Sequence, residues 1–395
     1  MKKNIKLFYL YRGTADLLLL GPIIVVFILS KGLSFTELTM LNTISAISVV
    51  LFEVPTGVIA DKIGRKYSII AGAFFMGVSM LILAYAHSFF ILAISEIVFA
   101  LGMALRSGAD TALLYDTLIV LDREEDYRKL EGKTRAIIYY TQAVGSIVAS
   151  FLFVWNEKLP ALLSAVFMFI TMGISLFFVE PSISKNNKEN EEVSYNKHMI
   201  ESAKFVWNHK KIMTVIVFSA IFYIFYRGGF FYFQPYMQAV NINVKYFGVI
   251  FFVFNIVAAF ASKRVDVFIN KTKNNTLIIL LSFLVISFLC LAFIPYTVGV
   301  LFILLQQLAR GLYKPVVFKY INKHTESFRR ATVLSFHNLI ICIPAALMYP
   351  LFGLIMDNNN AFDAHKIIGG IGVVTLITMY FYLKNKLGKK NKAKI

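Results

Sequence analysis

Cysteine is nearly missing from this chain of 395 residues: Cys290 and Cys342 are the only two, and both sit inside apolar runs. That pattern excludes a disulfide framework and reads as two buried free thiols. Histidine is also scarce, with six residues scattered singly, so no paired metal-ligand motif arises. Nucleophile elbows and glycine-rich phosphate loops are missing too, which leaves an ATP-driven pump without its Walker-type motif and an enzyme without a catalytic constellation. The chain is therefore read as a non-enzyme that needs no cofactor and no metal. Charge is thin as well. Asp, Glu, Lys and Arg make up 16% of the residues, against about 25% in ordinary soluble domains.

Apolar residues fill the space, at 58% of the chain and a mean hydropathy of +0.69. They recur in blocks of about 20, the length a helix needs to cross the hydrocarbon layer. The fold class that follows is an all-α integral membrane protein seated in a lipid bilayer. Breaks between blocks predict twelve transmembrane helices. The first six cover approximately 7–30, 36–56, 68–87, 89–114, 135–155 and 159–179. The second six cover approximately 212–235, 244–262, 276–294, 297–318, 330–354 and 367–383. The fourth block stays apolar to Leu121, which predicts one helix running on past the membrane. The opening "MKKNIKLFYLYRGTADLLLL" resembles a secretory signal but lacks a small-residue cleavage site, so it reads as the first retained span.

Basic residues outnumber acidic ones by 40 to 22, a net charge of +18 that could suggest nucleic acid. Its distribution argues otherwise. Alternate loops collect the lysines and arginines, while the opposite set holds Lys31, Lys158, Lys245 and Lys366. The positive-inside rule then places both termini in the cytoplasm of a multi-pass cell-membrane protein, with no nucleic-acid partner. Residues 180–211 form the one long polar interior segment. They divide a six-helix bundle at 1–179 from another at 212–384, with a basic tail at 385–395. Met199, Ile200, Ala203, Val206 and Trp207 recur at helical spacing, predicting an interfacial helix within the linker. The halves echo one another weakly, "LRSGADTALLYD" against "ARGLYKPVVFKY", which aligns Arg106 with Arg310. Two pseudo-symmetric six-helix bundles with a site between them form a transporter plan.

The inner loop after span two reads "GVIADKIGRKYS". Gly57 is read as allowing close helix approach, and Gly64 as allowing a tight reversal. Arg65 and Lys66 reinforce the positive face, and Asp61 is the lone acid. The pattern G-x-x-x-D-x-x-G-R-K resembles the signature loop of the major facilitator superfamily, with Gly57, Asp61, Gly64, Arg65 and Lys66 at its positions. The resemblance implies a conformational latch. Asp61 would face the start of span eleven near Ala331, where a helix dipole favours negative charge. Arg65 would pair with Asp116, or alternatively with Asp110. It further implies alternating access by a monomer, with protons as coupling ion and a small molecule as substrate. Within the family the likeness is to the drug/proton antiporter branch, with two departures. "RSGAD" sets Gly108 only two residues after Arg106, and span five, "YYTQAVGSIVASFLF", has no proline.

Ionisable residues within spans cost about 2.5–3.5 kcal/mol each on insertion scales, so they belong to a wet cavity or to one another. Asp16, Glu53, Arg106 and Asp110 are the proton-coupling candidates; holding helices together or binding substrate directly are the alternative roles. Arg12 lies four residues from Asp16 on the same helix face. The substrate-cavity candidates are Arg12, Glu96, Arg227, Phe231, Tyr232, Gln234, Arg310 and His337. "YRGGFFYFQPYM" around Arg227 either lines a pocket for a large, flat or cationic solute or faces lipid. His337 either carries protons or packs helices. The leading reading is proton-driven efflux of a drug-like or amphipathic molecule. Metabolite uptake by symport, a membrane enzyme and a non-transporting receptor are the alternatives.

Overall fold

A computed structural model describes residues 1–181, 204–325 and 330–387; the side chains of Asp61, Ala331 and a few other helical residues also fall outside the description. Most of the predicted interfacial helix, including Met199, Ile200 and Ala203, lies outside it too, as does the end of the basic tail. Of that expected apolar face, Val206 is buried and Trp207 exposed.

Every regular element among the described residues is a helix. Eleven helical stretches are long and apolar enough to cross a membrane. The first apolar block is not one of them, because it breaks into α1 (Lys2–Ala15) and α2 (Ile24–Leu29). The single helix expected over 7–30 is thus corrected. The Gly21-Pro22 pair cannot sustain a helical hydrogen-bond ladder, and the break reaches back to Asp16. Non-helical backbone is tolerated at membrane depth only where its polar groups are met within the protein. Here Leu17 N–H donates to the Thr14 carbonyl at 3.2 Å, and Leu19 N–H to Ser164 Oγ at 2.9 Å.

The next helices are α3 (Phe35–Ile63) and α4 (Arg65–Tyr85). Ser34 and Glu37 form a reciprocal capping box at the start of α3, which sharpens its entry. One residue, Gly64, separates α3 from α4, so the predicted loop is a hinge with φ of +113°. That region of backbone space is almost closed to residues with a Cβ. Lys31 Nζ donates to the carbonyls of Ala84 and Ala86 at 3.2 and 2.9 Å, closing the far end of α4.

The fourth block is also split, into α5 (Phe89–Arg106) and α6 (Ala109–Ile119). Gly108, at φ +76°, turns the chain between them, so the continuous helix expected there is corrected. α4 and α5 meet closely. A Cβ at Gly72 would lie 2.8 Å from the Gly102 carbonyl oxygen, and one at Gly102 2.7 Å from that of Gly72. Small residues of this kind let membrane helices approach backbone to backbone. Gly57, by contrast, has no described neighbour within 4 Å of where its Cβ would lie.

α7 (Tyr127–Trp155) and α8 (Leu159–Leu176) follow. Beyond the linker come α9 (Lys210–Ala239), α10 (Phe247–Lys263), α11 (Val265–Thr272), α12 (Thr276–Phe293), α13 (Ile303–Lys323), α14 (Arg330–Asp357) and α15 (Ala361–Leu387). The chain divides into two compact units. The first comprises Met1–Lys185 with Asn243–Phe252, and the second comprises Asn186–Ile242 with Val253–Ile395.

Candidate functional site

The two helix breaks in the first unit expose opposite kinds of helix end, and charge collects on both. α1 stops at Ala15 with Asp16 as its C-cap residue. Arg106, the last residue of α5, donates from Nη1 to the Ala15 carbonyl at 2.6 Å and from Nη2 to Asp16 Oδ1 at 2.7 Å. A cation at a helix C-terminus is favoured by the macrodipole. Asp110 occupies the first turn of α6, where the dipole favours an anion, and its Oδ1 accepts from Thr111 N–H at 2.6 Å. Arg12 Nη1 lies 3.0 Å from Asp110 Oδ2 and 3.8 Å from Asp16 Oδ2. The Tyr11 hydroxyl donates to Asp110 at 3.3 Å.

Arg12, Asp16, Arg106 and Asp110 therefore form one network of two cations and two anions. Arg12 and Asp110 are buried, and Arg106 and Asp16 nearly so. Apolar side chains including Phe8, Leu113 and Phe178 pack around it. Two atoms of the network, Arg12 Nε and Asp16 Oδ2, are buried without a hydrogen-bond partner.

A second charged cluster lies at the Gly64 hinge. Arg65 Nη1 pairs closely with Asp116 and donates to the Ala112 carbonyl at 2.9 Å. Glu180, which sequence reasoning assigned to the linker, accepts from the backbone N–H of Arg65 at 2.8 Å and of Lys66 at 2.7 Å. It caps α4 with a full negative charge at the positive end of the helix. Its only signal in the chain was an acid placed at the end of an apolar block, before Pro181. Asp61 lies on α3, and any contact it makes to the start of α14 falls outside the described side chains.

Other candidates stand apart from these clusters. Glu53 is exposed, and its carboxylate makes no hydrogen bond or ion pair among the described residues. Glu96 is half-buried and accepts a hydrogen bond from Ser45. In the second unit, Phe231, Tyr232 and Gln234 are core residues, which corrects their assignment to a cavity. Each is at most 2% exposed, and the Tyr232 hydroxyl donates to the Phe352 carbonyl at 2.7 Å. Sequence could not separate a lining aromatic from a packing one, because both sit on one-sided helical faces. His337 is buried edge-on against Phe318, its Nδ1 3.4 Å from Asn338 Oδ1.

Two arginines of the second unit, Arg310 and Arg227, meet neutral partners. Arg310 donates to Gln307 Oε1 at 3.1 Å and to Asn255 Oδ1 at 2.5 Å. Arg227 is half-buried, hydrogen-bonds Tyr349 and lies 5.7 Å from the centre of the Phe230 ring. An apolar crevice of about 450 Å³ between α9, α14 and α15 is lined by residues such as Ile221, Phe225, Leu351 and Ile368. Among the described residues no group of three or more His, Cys, Asp or Glu is placed to hold a metal ion.

Comparison with known proteins adds the following. A family model described as Major Facilitator Superfamily matches residues 13–349. An uncharacterized MFS-type transporter, YxaM of Bacillus subtilis (strain 168), is 25% identical over 370 residues, covering 92% of this chain and 90% of that protein. An uncharacterized transporter of Buchnera aphidicola subsp. Acyrthosiphon pisum (strain APS) is 30% identical over 190 residues, covering 48% of this chain and 43% of that protein. Among solved structures, the nucleoside transporter NupG superimposes with a TM-score of 0.78 at 12% identity, covering 95% of this chain and 99% of that one. A D-xylose-proton symporter gives a TM-score of 0.68 at 14% identity, covering 95% of each. These structural likenesses establish the fold alone.

Proposed function

The chain belongs to the Major Facilitator Superfamily, and from that premise we propose that it expels an amphipathic small molecule by alternating access, driven by protons exchanged at the network around Asp16. It is a multi-pass membrane transporter. The finer reading rests on one observation: a charge-balanced quartet at two broken helices in which a buried carboxylate oxygen, Asp16 Oδ2, accepts no hydrogen bond. Discontinuous helices are where transporters of other folds place their ion sites.

With both acids ionised, the quartet is neutral. A proton taken from water onto Asp16 Oδ2 forms an O–H bond and leaves the quartet with one net positive charge. Arg106 then keeps the Ala15 carbonyl but loses its counter-charge, which weakens the tie between α1 and α5. Gly108 and the Asp16–Ile23 break supply the flexible backbone for the rearrangement. The opposite motion, releasing the proton on the other side, restores the pair. Arg65, Asp116 and Glu180 stiffen the Gly64 hinge while this occurs, and the basic loops support cytoplasmic termini.

The test is transport in proteoliposomes under an imposed pH gradient, over a panel of labelled amphipathic solutes. Asp16→Asn is expected to abolish gradient-driven movement while leaving solute exchange without a gradient. Glu53→Gln is expected to leave both intact. Full gradient-driven transport by Asp16→Asn would remove the proton assignment. Accumulation of the solute in cells lacking the protein supports efflux, whereas growth failure on one nutrient supports uptake by symport.

A further inference from the structure

Each arginine described above in the first unit, Arg12, Arg65 and Arg106, has a carboxylate beside it. The second unit breaks that pattern. From residue 212 to 356 the chain contains two acids, Asp266 and Glu326. Asp266 is engaged by Lys319 at 2.7 Å, and Glu326 lies outside the described residues. Asp357 ends α14, and Asp363 sits in the first turn of α15, held by Asn360. Among the described residues no carboxylate pairs with Arg227 or Arg310.

Neutral oxygens solvate a guanidinium without cancelling its charge, so two positive charges stay inside an apolar unit. Arg310 has both Nη atoms engaged by amide oxygens. Arg227 differs: its Nε is buried with no acceptor in reach. The guanidinium of this half-buried residue carries an uncancelled charge, and its planar fork matches the two oxygens of a carboxylate or similar acid group. Aromatic side chains lie around it, with the Phe230 ring centre 5.7 Å from the guanidinium carbon, Tyr349 as its hydrogen-bond partner, and Tyr223 and Tyr226 on the same helix. A cationic solute would meet Arg227 first and be repelled, although the aromatic faces alone would have suited one.

We propose that the transported solute is an organic anion, an acid group on a flat apolar body, and that Arg227 binds the acid group through its guanidinium while the surrounding rings hold the body. This deepens the transporter reading and rests on it. Arg310 contributes positive potential without direct contact.

The test uses purified full-length protein and three probes of one shape: 2-naphthoate, 2-naphthylmethylammonium and 2-naphthalenemethanol. Naphthoate is expected to raise the thermal midpoint, and the other two are not. Arg227→Gln should weaken naphthoate binding by about ten- to a hundredfold, the worth of a charged hydrogen-bonded contact. Arg227→Lys, which keeps the charge and loses the fork, should fall between; it carries the test if the glutamine variant does not fold. Equal stabilisation by the cation or the alcohol, no stabilisation by naphthoate, or undiminished binding by both variants overturns the proposal. So does an Arg227-dependent shift with phosphatidylglycerol that naphthoate fails to give, which would assign the site to a lipid headgroup. Counterflow of labelled naphthoate in proteoliposomes separates the two readings. Binding without flux sinks the transporter reading and leaves the anion site, whereas flux of a neutral solute untouched by Arg227→Gln does the reverse.

Discussion

The two units solve the same physical problems with different chemistry. The first unit answers charge with charge: Arg106 meets Asp16, Arg12 meets Asp110, and Arg65 meets Asp116. In the second, the matching Arg310 meets Asn255 and Gln307, and Arg227 meets Tyr349. Helix starts differ in the same way. α4 is capped by the Glu180 carboxylate, whereas α9 is capped by the imidazole of His209, whose Nδ1 accepts from Ile212 N–H at 3.2 Å. A balanced set of buried charges can exchange a proton and keep its order. Arginines with neutral partners keep an uncancelled positive charge.

The largest effect that would break the comparison concerns the paired arginines. Arg106→Met removes the hydrogen-bonded partner of Asp16, leaving Arg12 at 3.8 Å, and should cost about 3–5 kcal/mol, read as a loss of unfolding free energy in detergent. Arg310→Met strands only amide oxygens and should cost about 1–3 kcal/mol. Equal losses would show that the Asp16 pairing contributes nothing beyond a neutral hydrogen bond.

Packing should not distinguish the units, which sharpens the contrast in charge. A Cβ at Gly311 in α13 would fall 2.1 Å from the Ala258 carbonyl oxygen, much as one at Gly72 would meet that of Gly102. Gly72→Ala and Gly311→Ala should each cost about 1–3 kcal/mol by overpacking. Gly57→Ala, whose Cβ would meet no described neighbour within 4 Å, should stay within about 0.5 kcal/mol. Thermal midpoints of the three variants check this ordering.

The smallest effect lies at the caps. Burial pulls the His209 pKa below its ordinary 6.5, and nearby His324 and Lys211 add to the shift. The folded chain therefore holds fewer protons there than the unfolded chain. Stability should fall as pH drops below about 6.5 and level off once the folded imidazole has also protonated. Protonation also removes the lone pair that accepts from Ile212. His209→Asn, a good cap that does not titrate, should flatten this part of the stability profile by about 0.5–1 kcal/mol. An unchanged slope between pH 7 and pH 5 would assign the dependence elsewhere.

Much of the fold was legible because membrane helices announce themselves by length and apolarity. The boundaries of α4, α8 and α12 lie within a few residues of the blocks read from the chain. The helix breaks were less legible. Gly21-Pro22 marked the first one, but its extent back to Asp16 depended on Ser164, 145 residues away, supplying an acceptor for the exposed backbone. Gly108 was visible, yet a glycine in a membrane helix is as often a packing contact as a turn. Glu180 looked like the first residue of a linker because nothing local says that it reaches the start of α4.

Composition and periodicity by themselves determined that this chain spans a membrane many times as helices, since apolar length and loop charge act residue by residue against lipid and water. The signature loop determined the family. Only the tertiary structure decided which stranded charges meet. Arg106 and Asp16 lie 90 positions apart, and their pairing depends on where two helices stop, on what caps the freed backbone, and on which side chains crowd the rest.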